Sequence, residues 1–205
     1  LPPFSLFYRY DSAALELALH ITDLLEKMDA TLDATTKANI VKIDDAFASN
    51  SKSRGSFLKQ VIKWDRVNGE RALGEPEIHV RLALNLWENE ETRIQSTHHF
   101  ALGEAPDQLA NKLMQVEKTL VRDRLLLMGV LHFLSVENLR DATKLVALHK
   151  KNTKGKGDSS KLMRFSDQIV RLCCRDAAPL FQKLCTTSAK ELVFDESIPQ
   201  LIKGP

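Results

Sequence analysis

Glycine and proline are scarce in this chain, at 8 and 7 of 205 residues. Sandwiches and barrels need frequent tight turns, and these two residues supply most of them, so an all-β architecture is disfavoured. Cysteine is rarer still. Cys173, Cys174 and Cys185 form an odd set without long-range spacing, which makes no disulfide framework and fits reduced thiols in a cytosolic compartment. Cys173 and Cys174 are neighbours on a helical segment and point in different directions. They read as small apolar packing residues.

No apolar run reaches the length needed to cross a bilayer. The opening Leu1-Pro2-Pro3-Phe4 has no basic residues ahead of an apolar run, so it does not read as a signal peptide. It also lacks an initiator Met, so residues upstream are expected to be missing. Neither sign of charge dominates: 29 Lys and Arg stand against 27 Asp and Glu, for a net charge of +2. Proteins that coat nucleic acid cluster positive charge to neutralise phosphates, and this mixed balance does not suggest one.

What the chain does have is helical periodicity. Apolar residues make up 43% and charged residues 27%, an ordinary globular composition on a chain long enough to bury a core. Ala14, Leu17, Ile21, Leu24, Leu25 and Met28 share one helical stripe, with Asp11 and Ser12 as candidate N-caps. A second helix is expected from Thr36 to Phe47, with Ile40, Val41, Ile43 and Phe47 buried. Asn50, Ser51, Ser53 and Gly55 read as a loop. Phe57, Leu58, Val61, Ile62 and Trp64 belong to a third helix, ending near Asn68-Gly69. Pro76 suits the first turn of a fourth, where its missing N–H is not needed. Ile94 to Leu102 forms a short helix, and Gly103 and Pro106 open the next.

Leu125 to Leu134 is apolar on every side, which predicts an enclosed helix. Glu137 to His149 forms another. Lys150 to Ser160 reads as a mobile basic surface loop, with Asp158 capping the helix that holds Leu162, Phe165, Ile169, Leu172 and Cys173. Pro179 breaks or restarts that helix. Short helices around Leu180–Cys185 and Ala189–Ile202 close the chain. Pro76, Pro106 and Glu137 open successive helix pairs at intervals of about thirty residues, near the period of helical-hairpin solenoids. The expected fold is therefore all-α: a right-handed α-solenoid of stacked antiparallel hairpins, tetratricopeptide-like in architecture, forming a single domain over residues 1–205.

Chemistry is harder to find. None of His20, His79, His98, His99, His132 and His149 forms a zinc-binding HExxH pattern. His98 and His99 are chain neighbours that diverge by about 100° on a helix and cannot easily share a metal; one is expected buried and the other exposed. Gly155-Lys156-Gly157 lacks the residue order of a phosphate-binding loop and no apolar strand precedes it. Lys150, Lys151, Lys154, Lys156, Lys161 and Arg164 make a local basic cluster without aromatic residues for base stacking, which reads chiefly as a solvated surface. Asp44-Asp45 and Glu88, Glu90 and Glu91 read as helix caps or hydrated carboxylates and not as an acid–base pair. Trp64 and Trp87 read as packing anchors. No catalytic residue, metal ligand or cofactor is expected.

One series of segments is recognisable. Phe57-Leu58-Lys59-Gln60-Val61-Ile62-Lys63-Trp64 precedes Leu73-Gly74-Glu75-Pro76-Glu77-Ile78-His79. Leu82-Ala83-Leu84-Asn85-Leu86-Trp87, Thr97-His98-His99-Phe100-Ala101-Leu102, Gln108 to Leu113 and Val130-Leu131-His132-Phe133-Leu134 follow in order. The series resembles the helical scaffold subunit of the guided-entry pathway for tail-anchored membrane proteins, its fourth numbered factor, a subunit of the transmembrane-recognition complex. Lys63, Trp64, Gly74, Pro76, His79, Trp87, His99 and Phe100 carry the resemblance and read as structural.

The resemblance implies an α-solenoid without catalytic activity, working in the cytosol. It implies a bridge between a ubiquitin-like-domain partner, held near the C-terminal half, and a homodimeric targeting ATPase, held by the N-terminal half. In animals a BAG-family holdase complex joins. It also implies that helices of the family ahead of the matched region are missing from residues 1–205. For the ubiquitin-like partner the expected surface is the apolar face of the C-terminal helices, Phe165, Ile169 and Leu172, with Lys150, Lys151 and Arg164 beside it. Neither nucleic acid nor direct membrane insertion is expected. Two alternatives stay open: a helical-repeat adaptor of another assembly, and a nucleic-acid binder using the basic cluster.

Overall fold

A computed structural model describes residues 4–28, 30–48, 51–153, 160–188, 190 and 192–203, with side chains described from Asp11 onward. It is all-helical, and no strand occurs among the described residues. Two compact units divide the chain, Leu1–His99 and Phe100–Pro205. The first holds α1 (Phe4–Lys27), α2 (Ala34–Ala46), α3 (Lys52–Asn68) and α4 (Pro76–Trp87), and α5 (Arg93–Leu102) runs across the boundary. The second holds α6 (Pro106–Met114), α7 (Thr119–Ser135), α8 (Leu139–Thr153), α9 (Lys161–Cys173), α10 (Ala178–Thr187) and α11 (Ile198–Lys203). Within the units α3 packs on α4, α7 on α8, α8 on α9 and α9 on α10, and helices two apart also touch: α1 on α3, α6 on α8, α7 on α9.

In the first unit, Phe57, Leu58, Val61 and Trp64 of α3 form the centre, with Ile78, Leu82 and Leu86 of α4 and Ile40 and Phe47 from the α2 side. The Phe47 and Phe57 rings lie 5.8 Å apart, tilted, at an aromatic-pair distance. The first helix departs from expectation twice. It starts at Phe4, so Asp11 and Ser12 lie inside it; the Asp11 carboxylate instead accepts from the Ser51 hydroxyl at 2.8 Å. Its buried face is also rotated by roughly a quarter turn from the expected stripe, which shares only Leu25 with it. Leu15, Ala18, Thr22 and Leu25 face the core, while Leu17, Leu24 and Met28 of the expected stripe are exposed. Both faces of this helix are apolar, and periodicity alone does not choose between them.

The expected loop at Ser53 and Gly55 is the first turn of α3. Ser51 is its N-cap, accepting from the Arg54 amide at 3.2 Å. Glycine sits at position 55 because α3 and α4 approach closely: a Cβ there would lie 2.6 Å from Asn85 Oδ1.

In the second unit α7 is enclosed as its all-round apolarity predicts, with Leu125 to Phe133 buried without interruption. Asn138, and not Glu137, opens α8: its side-chain oxygen accepts from the Asp141 amide at 3.1 Å. Glu137 has φ +59° and belongs to the turn that ends α7. The helix continues to Thr153, so Lys150 and Lys151 are helical and not part of a loop; Lys154, Lys156 and Asp158 lie outside the described residues. Ser160 caps α9, accepting from the Met163 amide at 3.1 Å. Near the end, α11 begins at Ile198, and the expected start of the last helix is Ala189. That position is itself outside the described residues.

Candidate interaction surfaces

The residues that carry the recognisable series are spent on internal structure. Gly74 has φ +87°, a left-handed conformation that glycine adopts without strain. The turn it makes brings the Glu75 amide to the Asp65 carboxylate at 2.5 Å. Pro76 then occupies the first turn of α4. One turn on, buried His79 reaches back through Nε2 to the Leu73 carbonyl at 2.7 Å and meets His99 with Nδ1 2.9 Å from Nδ1. Burial raises the Asp65 carboxyl above its ordinary value, against the Glu75 amide that lowers it. Burial lowers the His79 imidazole. Trp64, Trp87 and Phe100 are buried, while Lys63 is exposed. The Arg93 guanidinium lies over the Trp87 ring, 5.7 Å from its centre. His98 and His99 are both half-buried, which corrects the expectation of one inside and one outside.

Asp44-Asp45 is not a hydrated pair. Asp44 is fully buried and holds Arg54 through two bonds, Nε to Oδ1 at 2.7 Å and a terminal nitrogen to Oδ2 at 2.6 Å. Arg81 of α4 adds a third at 2.8 Å and also reaches exposed Asp45 at 2.7 Å. A buried carboxylate persists only when cations and hydrogen bonds repay its lost hydration, and this cluster ties α2, α3 and α4 together. The sequence carried a signal for it: Asp44 falls between Ile40 and Phe47 on the buried stripe. Lys37 makes a second tie, to Glu75 at 2.8 Å and Glu77 at 2.9 Å.

In the second unit the expected partner-binding residues separate. Phe165 and Ile169 are buried by α7, α8 and α10, and Leu172 is half-buried at the rim. The periodicity that nominated them is the periodicity of a core face. Lys150 is paired with Asp167 at 2.5 Å, and Arg171 shares the same carboxylate at 3.0 Å. Burial alone would raise the Asp167 carboxyl; the two cations outweigh it and hold it below the ordinary value. Lys151 and Arg164 are exposed. A furrow of about 360 Å³ runs between α8 and α9, lined by Val146, Lys150, Asp167, Val170 and Arg171 among others. Another, of about 350 Å³, lies at Arg164, Phe165 and Gln168.

No group of three or more His, Cys, Asp or Glu suited to a metal ion occurs among the described residues. The three cysteines are free, with Cys174 exposed and Cys173 and Cys185 half-buried. Burial raises the latter two thiols, which keeps them protonated. No helix among the described residues is long and apolar enough to cross a membrane.

Comparison with known proteins gives a consistent answer. A family model described as Golgi to ER traffic protein 4 matches residues 7–203. A Dictyostelium discoideum protein named Golgi to ER traffic protein 4 homolog is 28% identical over 86% of this chain and 58% of its own length. The Homo sapiens protein of that name is 29% identical over 64% of this chain and 41% of its own. The chain thus spans little more than half the length of such relatives, or less. The fold matches a crystal structure titled C. therm. Get4 with a TM-score of 0.73 at 19% identity, covering 92% of this chain and 68% of that one.

Proposed function

The chain belongs to the Golgi to ER traffic protein 4 family, and on that premise we propose that it is a non-catalytic cytosolic scaffold for delivering tail-anchored membrane proteins to the endoplasmic reticulum. It bridges a ubiquitin-like-domain protein and the homodimeric ATPase that carries the tail-anchored cargo. A BAG-family holdase is a further partner in the animal version of the assembly. The mechanism is positional: holding two proteins on one body raises the local concentration of each beside the other.

The family match over residues 7–203 carries this reading. The side-chain geometry supports it. The polar groups that converge, Asp44 with Arg54 and Arg81, and His79 with His99, join helix to helix. Large apolar side chains meanwhile stay on the outside, notably Leu17 and Leu24 of α1, Met28 just past its end, Leu120 of α7 and Leu180 of α10. A protein that works by being held needs such faces.

In the second unit the partner face is drawn from residues that a partner can reach. Leu172, Lys151 and Arg164 remain candidates, with Lys150 engaged by Asp167. Phe165 and Ile169 support that face from beneath. The test is affinity capture from cytosol with this chain as bait, followed by identification of the retained proteins. Recovery of a ubiquitin-like-domain protein together with the ATPase supports the scaffold. Recovery of neither, with members of another assembly in their place, favours a generic helical adaptor.

A further inference from the structure

We propose that the solvent face of α3 is a docking surface for an acidic helix of a partner protein, read by the row Lys52, Lys59, Lys63 and Arg66. All four side chains are exposed. Successive helical residues are rotated by about 100°, so the four fall within an arc of about 60° and extend along about 21 Å of the axis. The opposite side of α3 is core, filled by Phe57, Leu58, Val61, Ile62 and Trp64. The row lies on the side that α1, α2 and α4 leave uncovered.

These charges are not spent on internal structure. Elsewhere in the first unit Lys37 is paired with Glu75 and Glu77, Arg54 and Arg81 with Asp44, and Arg93 with Glu90. The four cations of the row form no ion pair among the described residues. Of the acids nearby in the chain, Asp65 is buried and engaged by the Glu75 amide, and Glu70 stands beyond the end of the helix. Lys52 is also placed against its own helix. It is the first helical residue, no acid occupies the first turn, and a cation there opposes the positive end of the helix dipole. The fold gains nothing from that placement, whereas an incoming carboxylate meets the lysine and the dipole together.

The shape of the row selects among anions. It is one helix wide and carries no aromatic residue on which a base could stack. Acidic residues outnumber basic ones across Leu1–His99, and α1, packed on α3, exposes Glu16, Asp23 and Glu26. A nucleic acid or an anionic bilayer covers a wider area and meets that opposing field. A single helix with carboxylates every three to four residues along one face matches the row alone. The turn at Gly74 lies against Arg66, and Val67 and Leu73 beside it are 79% and 48% exposed, an apolar contact for the end of the same segment. The row has this character whichever pathway the chain serves.

The probe is a labelled helical peptide of about 18 residues with glutamate at every third or fourth position on one face and leucine at one end of that face. A reference peptide carries glutamine in place of glutamate. Fluorescence anisotropy with the 205-residue chain reads binding, and single-stranded RNA and phosphatidylserine vesicles are measured in parallel. The glutamate peptide is expected to bind and the glutamine peptide not, with affinity falling as salt is raised. Lys59→Glu and Lys63→Glu are each expected to weaken binding about tenfold. Lys42→Glu, at an exposed lysine of α2, changes the net charge equally and is expected to alter binding less than about twofold. Equal losses from Lys42→Glu and Lys63→Glu would reduce the row to net charge and overturn the proposal. Absence of peptide binding would also overturn it, as would tighter binding of the RNA or the vesicles. A salt-sensitive dimer of the chain alone, abolished by Lys63→Glu, would assign the face to a second copy and overturn it too.

Discussion

Arg54 of α3 grips Asp44 of α2 through two parallel hydrogen bonds, at 2.7 Å and 2.6 Å, around a carboxylate with no exposed side-chain surface. The planar guanidinium matches the carboxylate fork, which an ammonium cannot do. Removing the carboxylate strands Arg54 and Arg81 without their shared partner. Asp44→Ala is expected to lower stability by about 3–5 kcal/mol, read as a fall in the urea midpoint. Arg54→Lys, which keeps the charge and loses the fork, is expected to lower it less. Equal stability of Asp44→Ala and wild type would show that the cluster does not join the helices.

Gly74 is the second test of the first unit. Its φ of +87° strains any side chain, and a Cβ there lies 3.3 Å from both Asp65 Oδ2 and His79 Nε2. Gly74→Ala is expected to cost about 1–2 kcal/mol. Thermal melts of the variant and the wild type give the comparison, and an unchanged midpoint would contradict the strain.

The two faces of α1 predict opposite outcomes. Leu17→Ser and Met28→Ser, on the exposed face, are expected to change stability by less than about 0.5 kcal/mol. Leu25→Ala, packed against the core, is expected to cost about 1–2 kcal/mol. The reverse ranking in denaturant midpoints would mean that the helix is rotated by roughly a quarter turn, onto the stripe expected from the sequence.

Much of this fold was legible in the sequence, and its limits have physical causes. The enclosed α7 announced itself because Leu125 to Phe133 is apolar all round. Pro76 and Pro106 marked helix starts because a missing N–H costs nothing there. The facing of α1 was not legible, since a helix apolar on both sides gives a stripe without saying which side has a neighbour. Gly55 and Ser53 looked like a loop because the reason for the glycine, the nearby Asn85, is 30 positions away in the chain. Among the candidate partner residues the same ambiguity applies. Phe165 and Ile169 form a strong apolar stripe, and burial claimed it. The His79–His99 contact was hidden because the two rings come from different helices.

That distinction is testable in the second unit. Ile169→Asp places a charge in a fully buried site and is expected to unfold the unit or cost more than about 3 kcal/mol. Leu172→Asp, half-buried, is expected to fold with a loss of about 1 kcal/mol. Circular dichroism melts separate them, and a stable Ile169→Asp would return that residue to the surface.

Acid titration supplies a test with a defined sign. Burial lowers both His79 and His98 below 6.5, so the unfolded chain binds more protons than the folded one between the folded values and 6.5. Stability is then complete above that window and falls as pH drops through it. Urea midpoints at about pH 7.5 and 5.5 are expected to show the fall in wild type and a shallower one in His79→Gln. A midpoint that rises on acidification contradicts the burial of these rings.

The most direct measurement is sedimentation of purified chain mixed with the ubiquitin-like-domain protein and the dimeric ATPase. A scaffold gives one faster species containing all three, which neither partner forms with the other when the chain is left out. Mutually exclusive binding, or a chain that sediments alone beside both, would contradict it.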